Sequence, residues 1–289
     1  LAKISGISIN TINHKLEQDK KYLTGTREVF MRLNYKKSAL AVALTLLFCC
    51  TTVPKGYNAD SASNISPKDI ARAVTKLTEL GVPLQKDPKG DVRWIEAKEG
   101  ELKDESMSLL PRLPKLEWLE IGNSVLTRDG MKHLEKCIAL KRLYIHDIHL
   151  DGEELSWISN LKQLEALSLQ RTQIDGKFLK HLNAVDSLRV LNLSGNPITD
   201  DDMDQIARFK NLEVLALANT QITGPGISKL TGMKRLNELN IENCNIQDYD
   251  LSYFLSMPNL RIVYAEGCSL SAFAIGGIVA RFPSLAIFQ

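Results

Sequence analysis

The chain has 289 residues, with 36 Lys or Arg against 34 Asp or Glu and a net charge of +2. Residues 1–60 hold nine Lys or Arg and four Asp or Glu, which leaves 27 against 30 in the remainder, a slight acidic excess. That balance excludes the basic stripe on which nucleic-acid binding depends.

The chain opens on Leu1, and its first methionine is Met31. From there, Arg32, Lys36 and Lys37 precede the apolar run Ala39–Phe48. A positive segment before a short apolar one reads as a secretory signal over residues 31–50. Residues 1–30 then read as a non-native upstream extension, with a cytoplasmic tail as the alternative. Cys49 and Cys50 stand where a bacterial lipoprotein signal would end, so both are candidate lipidation sites. The bulky Phe48 departs from the small residue that such a signal carries there. Plain cleavage near Thr51–Ala59 is the other reading, and an uncleaved anchor a third, although the run is short of the roughly 20 residues a membrane helix needs. The expected location is secreted, periplasmic or cell envelope.

Residues 51–65, rich in Thr, Ser, Asn, Pro and Gly, suit a linker. Ser66-Pro67 then opens a predicted helix whose stripe is Ile70, Val74, Leu77 and Leu80, and Gly81 closes it. Residues 66–91 are expected to form an N-terminal cap helix and a lead-in loop, because the first coil of a stack must be covered.

From Val92 onward an apolar triplet, L-x-x-L-x-L, returns every 24 residues. It begins as Val92, Ile95, Ala97 and Leu116, Leu119, Ile121, and ends as Leu260, Val263, Ala265, eight registers without an insertion. The last two members of each triplet are spaced to share one face of a strand. A small or polar residue follows at a bend, as in Thr172, Asn196, Thr220, Cys244 and Cys268; Ile148 is out of character there. The second half of each repeat carries apolar residues three apart, such as Leu179 and Leu182, which predicts a short helix. Residues 92–289 therefore read as one α/β solenoid of about eight coils, with a parallel sheet on the concave side and short helices on the convex side. At the far end Leu285 comes 25 residues after Leu260, one out of step, and Ala272–Ala280 is nearly all apolar. An end without a polar cover is a candidate for pairing or aggregation.

The pattern LxxLxLxxNxI stands here as LRVLNLSGNPI from Leu188 to Ile198 and LEVLALANTQI from Leu212 to Ile222. In these residues the chain resembles the leucine-rich repeat superfamily, and is similar to its bacterial secreted or cell-envelope members. The resemblance covers residues 92–289. It implies a right-handed horseshoe arc used for protein binding, and no shared catalytic residue.

The side chains between the triplet members point out of the sheet in columns. Near the N-terminal coils these columns place Trp94, Trp118, Arg142, Tyr144 and His146 together, the residue types that dominate binding energy at interfaces. Local packing of Trp94 on Trp118 is the competing account. Further along, Ala166, Val190, Val214, Ala216 and Ala218 predict a shallow, exposed apolar floor. Trp157 is expected to be partly buried on the helical side. Cys137 replaces a core residue, and Cys244 and Cys268 lie on neighbouring coils, either bridged or packed as thiols. His133, His146, His149 and His181 share no metal-ligand spacing, and no cofactor is expected. A set of Ser168, His146 and Asp147 would lie on an open sheet face without oxyanion donors, so catalysis is not expected. The expected function is a monomeric protein-binding module whose partner the sequence does not name. The alternatives are a structural or self-associating repeat protein and a secreted effector acting on a host protein.

Overall fold

The structure is a computed structural model and describes residues 65–289. The signal segment, Cys49 and Cys50 lie outside the described residues.

The cap helix spans Pro67–Glu79. Ser66 caps it by accepting a hydrogen bond from the Asp69 backbone N–H, and Pro67 occupies the first turn, where its missing N–H costs nothing. Gly81 ends it with a φ of +77°, a left-handed conformation that glycine adopts without steric penalty. Of the predicted stripe only Leu77 is fully buried, joined by Ala73; Ile70, Val74 and Leu80 are half-buried at its margins.

The lead-in loop contains a strand that the sequence reading passed over. Strand β1 (Leu84–Lys86) pairs antiparallel with β2 (Val92–Ala97), Gln85 facing Trp94. Asp87-Pro88-Lys89-Gly90 makes the turn, with Asp87 Oδ1 accepting from the Lys89 and Asp91 N–H groups. Short, polar β1 covers the open edge of β2, a common protection for sheet edges.

From β2 onward every pairing is parallel. The strands are β3 (Trp118–Gly122), β4 (Arg142–His146), β5 (Ala166–Gln170), β6 (Val190–Asn192), β7 (Val214–Ala216), β8 (Glu238–Asn240), β9 (Ile262–Tyr264) and β10 (Ala286–Phe288). They lie in sequence order in one ten-stranded sheet with β1 at its head. Register is conserved throughout: Leu143 faces Leu167, which faces Leu191, then Leu215, Leu239 and Val263. At β10 the expected slip to 25 residues does not occur. Ile287 faces Val263, 24 positions on, because the Ala286 N–H bonds to the Arg261 carbonyl as the ladder demands. Leu285 is buried one place past the triplet column, which falls on Ser284.

Across the coil from the sheet, the predicted helices are shorter and tighter than α-helices. Short α turns occur at Asp104–Met107, Arg128–Lys132, Met203–Ile206 and Gly224–Ser228. Gly152–Asn160, Gly176–Ala184 and Asp248–Ser256 are 3-10 helices. A 24-residue coil has little chain to spare, and three residues per turn matches apolar residues spaced by three.

The core runs between these layers. Its leucine columns are fully buried, as are Ile158 and Phe178 on the helical side. Trp157 is buried there as well, more deeply than expected. Cys137 is a free core thiol pushed up to about 12 by burial. Cys244 and Cys268 are also free, and each thiol donates to a carbonyl of the preceding coil, Leu217 and Ile241 respectively, both at 3.1 Å. Asn196 Nδ2 donates to Leu169 O at 2.6 Å in the same way. At this bend Cys is thus a small, weak stand-in for Asn.

Leu191→Ala and Leu215→Ala remove side chains with 0% exposure from the middle of this core. Each is expected to cost about 2–5 kcal/mol. Urea denaturation checks this, and a loss under about 1 kcal/mol would place these side chains outside the core.

Candidate functional site

Parallel register brings the proposed binding residues onto adjacent strands. Trp94 faces Trp118, Trp118 faces Arg142, and Gly122 faces His146. Trp118 meets Tyr144 edge to face, with ring centroids 5.7 Å apart and planes at 83°. The Arg142 guanidinium lies 5.6 Å from the centre of the Trp118 ring. Both geometries favour the ring quadrupole. Trp118 therefore sits at the centre, half-buried, and its Nε1 is enclosed without a hydrogen-bond partner among the described residues. Trp94 is half-buried beside β1, and among the described residues no ring contact joins it to Trp118.

A chain of charges borders the rings. Lys98 Nζ lies 3.6 Å from Glu96 and 3.3 Å from Glu120. His146 reaches Glu120 through Nε2 at 3.4 Å and Asp147 through Nδ1 at 2.9 Å. Gly122 makes this possible: a Cβ there would lie 2.2 Å from His146 Cε1, so only glycine lets the imidazole fold across β3. Asp147 is gripped in turn by Arg171, Nε to Oδ1 at 2.6 Å and Nη2 to Oδ2 at 2.7 Å. Arg171 has a φ of +53° in a column otherwise filled by Asn123, Asp147, Gly195, Asn219, Asn243 and Gly267, all with positive φ. The bidentate pair offsets that backbone strain. The Arg171 bond is the main reason the Asp147 carboxyl is held down at about 2. His146 is raised above 6.5 chiefly by its bond to Glu120, with Asp147 adding and burial opposing.

The apolar floor differs from expectation. Ala166, Val190, Val214, Ala216 and Ala218 are buried. The first three face one another on successive strands and pack together, with Tyr144 against them. Beyond the floor lie the buried Glu238 and Asn240, and Tyr264, whose hydroxyl is pushed up by burial and then by Glu238 and Glu242.

Ser168 faces Tyr144 across the ladder, and no hydrogen bond joins it to His146 among the described residues. No group of His, Cys, Asp and Glu among the described residues is placed to hold a metal.

Sequence reading missed a column one residue before the first sheet column: Arg93, Glu117, Lys141, Glu165, Arg189, Glu213, Asn237, Arg261. Its signal was legible, since the signs alternate from Arg93 to Glu213. Arg93 meets Glu117 at 2.6 Å, Lys141 meets Glu117 at 3.3 Å, and Arg189 grips Glu213 with two bonds of 2.9 and 2.8 Å.

Comparison with known proteins fits this geometry. Residues 186–246 match the leucine rich repeat family model. No curated protein matches the chain. Among solved structures, internalin C2 from Listeria monocytogenes superposes with a TM-score of 0.53 at 23% identity, covering 78% of this chain and 95% of that one. At that identity the likeness is one of fold.

The two shifted groups have opposite pH signatures. A raised His146 contributes stability fully present below its unfolded value of 6.5, which is lost as pH rises through the higher folded value. A lowered Asp147 contributes stability present above 3.8, which is lost as pH falls toward about 2. The denaturation midpoint should therefore fall as pH rises above 6.5 in the native sequence and fall less in His146→Gln. Equal slopes in the two proteins would mean that His146 does not titrate against these partners.

Proposed function

The described part of this chain is a leucine-rich repeat solenoid, and we propose that it is a non-enzymatic module that binds a protein partner on the sheet face around Trp118. The observation that carries this reading is the contact set of Trp118 with Tyr144 and Arg142, three large side chains held on neighbouring strands of one sheet. Anchors positioned by strands lose little conformational freedom on binding, so more of the contact energy is retained as affinity. Trp94 flanks the anchors on one side. His146 flanks them on the other, ordered by Glu120 and Asp147. Use in the envelope or outside the cell rests on the positive and apolar segments of residues 31–50, with Cys49 or Cys50 as the site of a lipid. No helix among the described residues is long and apolar enough to cross a membrane.

One observation favours a second reading, self-association. The helix Ala272–Arg281 carries no charge before Arg281, its Phe273 is 93% exposed, and Phe282, which follows it, is exposed as well. Sedimentation of the full chain separates the readings. A monomer at all micromolar concentrations removes self-association.

Trp118→Ala is expected to weaken capture of the partner by at least about 1 kcal/mol while leaving the unfolding midpoint nearly unchanged. The measurement is a quantitative pull-down from envelope and extracellular fractions, against the Trp118→Ala/Tyr144→Ala double variant. Retained affinity with lowered stability would assign the cluster to packing instead. Cell fractionation should find the protein outside the cytoplasm, and palmitate labelling should disappear in Cys49→Ser/Cys50→Ser. Soluble cytoplasmic protein with residues 31–50 intact would refute export.

A further inference from the structure

A repeating coil supplies its own controls, because each position has counterparts 24 residues away doing the same structural task. Two positions near the end of the solenoid abandon that task, and both place a cation in the same cleft. The first is in the alternating charge column. After Glu213 the alternation breaks at Asn237, so Arg261 has Asn237 on one side and Leu285 on the other. Its guanidinium donates to the carbonyls of Pro258 and Leu260, at 3.2 and 2.9 Å, and has no acid partner among the described residues. Glu213 does not make up the deficit, since both its oxygens are taken by Arg189.

The second position is in the turn before the strand, in a column where Lys115, Ala139 and Gln163 of the earlier coils make no shared bond and three of the later coils do. There Ser187, Asn211 and Asn259 each donate to a carbonyl of the preceding coil, Lys162, Asp186 and Lys234, at 2.9, 2.8 and 2.6 Å. Arg235 occupies the same place between Asn211 and Asn259. Among the described residues its side chain makes neither that bond nor an ion pair. Lys234 beside it likewise has no acid partner among the described residues. Lys234, Arg235 and Arg261, with Asn237, Asn259 and Glu213, line one open cleft of about 480 Å³.

Three cations sharing a cleft repel one another, and elsewhere in this column an acid relieves such charge. Here, among the described residues, the one acid lining the cleft is Glu213, and Arg189 already binds both its oxygens. Two planar guanidinium groups offer paired N–H donors matched to an oxyanion, and a lysine adds a compact charge. We propose that this cleft is an oxyanion site that takes a phosphate-type group, free or as a lipid headgroup. It is independent of the Trp118 surface. The acidic balance of the domain is no obstacle, because a local cluster sets the field at so short a range.

Calorimetric titration of the full chain with inorganic pyrophosphate, and flotation with phosphatidic-acid vesicles, distinguish the free from the lipid-borne group. Binding to at least one probe is expected, weakened at least tenfold in Arg235→Gln/Arg261→Gln. Asn237→Glu rebuilds the missing acid beside Arg261 and should weaken binding similarly with no loss of thermal stability. Arg112→Gln/Arg208→Gln removes the same charge at exposed positions elsewhere and should leave binding intact. No binding to either probe overturns the site. So does a loss that is absent from the cleft variants or equal in the control.

Discussion

Each strand from β2 to β9 must hydrogen-bond the next with residue n facing residue n + 24, and nearly everything else in the domain follows from that register. A slip of one residue would turn a leucine column out to solvent. With the register held, like residues stack on like, so the core is a set of columns and not a centre. The cost falls on the bends, where the backbone must turn with its polar groups buried. Asn196 meets that need by donating to the Leu169 and Leu193 carbonyls and accepting the Thr172 N–H. Each such bond contributes about 0.5–1.5 kcal/mol, and an unmade one costs more. Cys244 and Cys268 do the same work with weaker donors.

A second set of links ties the turns that open the helical side. Asp104 accepts from both the backbone N–H and the hydroxyl of Thr127 in the next coil. Asp200 does so for Thr223, and Asp248 for Ser271. Each of these aspartates caps its neighbour's turn. Glycines make room for such carboxylates: a Cβ on Gly130 would fall 2.0 Å from Asp104 Oδ1. Coil-to-coil adhesion is therefore polar at the turns and apolar between them.

Against so regular a background, departures carry information. Arg171 stands in a column that, from Asn123 on, is otherwise Asn, Asp or Gly, and its left-handed backbone is tolerated while its side chain anchors Asp147 and, through it, His146. Gly122 gives up a side chain so that His146 can cross to Glu120. Arg235 lacks the turn bond that Ser187, Asn211 and Asn259 make, and Asn237 the acid that would have paired Arg261. The first two departures order the edge of the Trp118 surface. The last two leave charge uncompensated in a cleft.

The repeat, the parallel sheet, the cap helix and the core columns were legible in the sequence because spacing alone determines them. A period of 24 with a two-residue alternation inside it admits one stacking. The strand β1 was less legible, although the Asp-Pro-Lys-Gly turn beside it signalled a hairpin, because a three-residue strand has no periodicity of its own. Spacing could also place Trp118, Arg142 and Tyr144 on one face. It could not say that Trp118 would turn its ring to Tyr144 and Arg142 and leave Trp94 apart, since that depends on rotamers chosen by neighbours on both sides. Nor could it say that the Ala166–Val190–Val214 floor is buried, or that His146 bridges two carboxylates. Those outcomes depend on distances between side chains 24 residues apart. The sequence determined which residues share a face, and only the tertiary structure decided which of them touch.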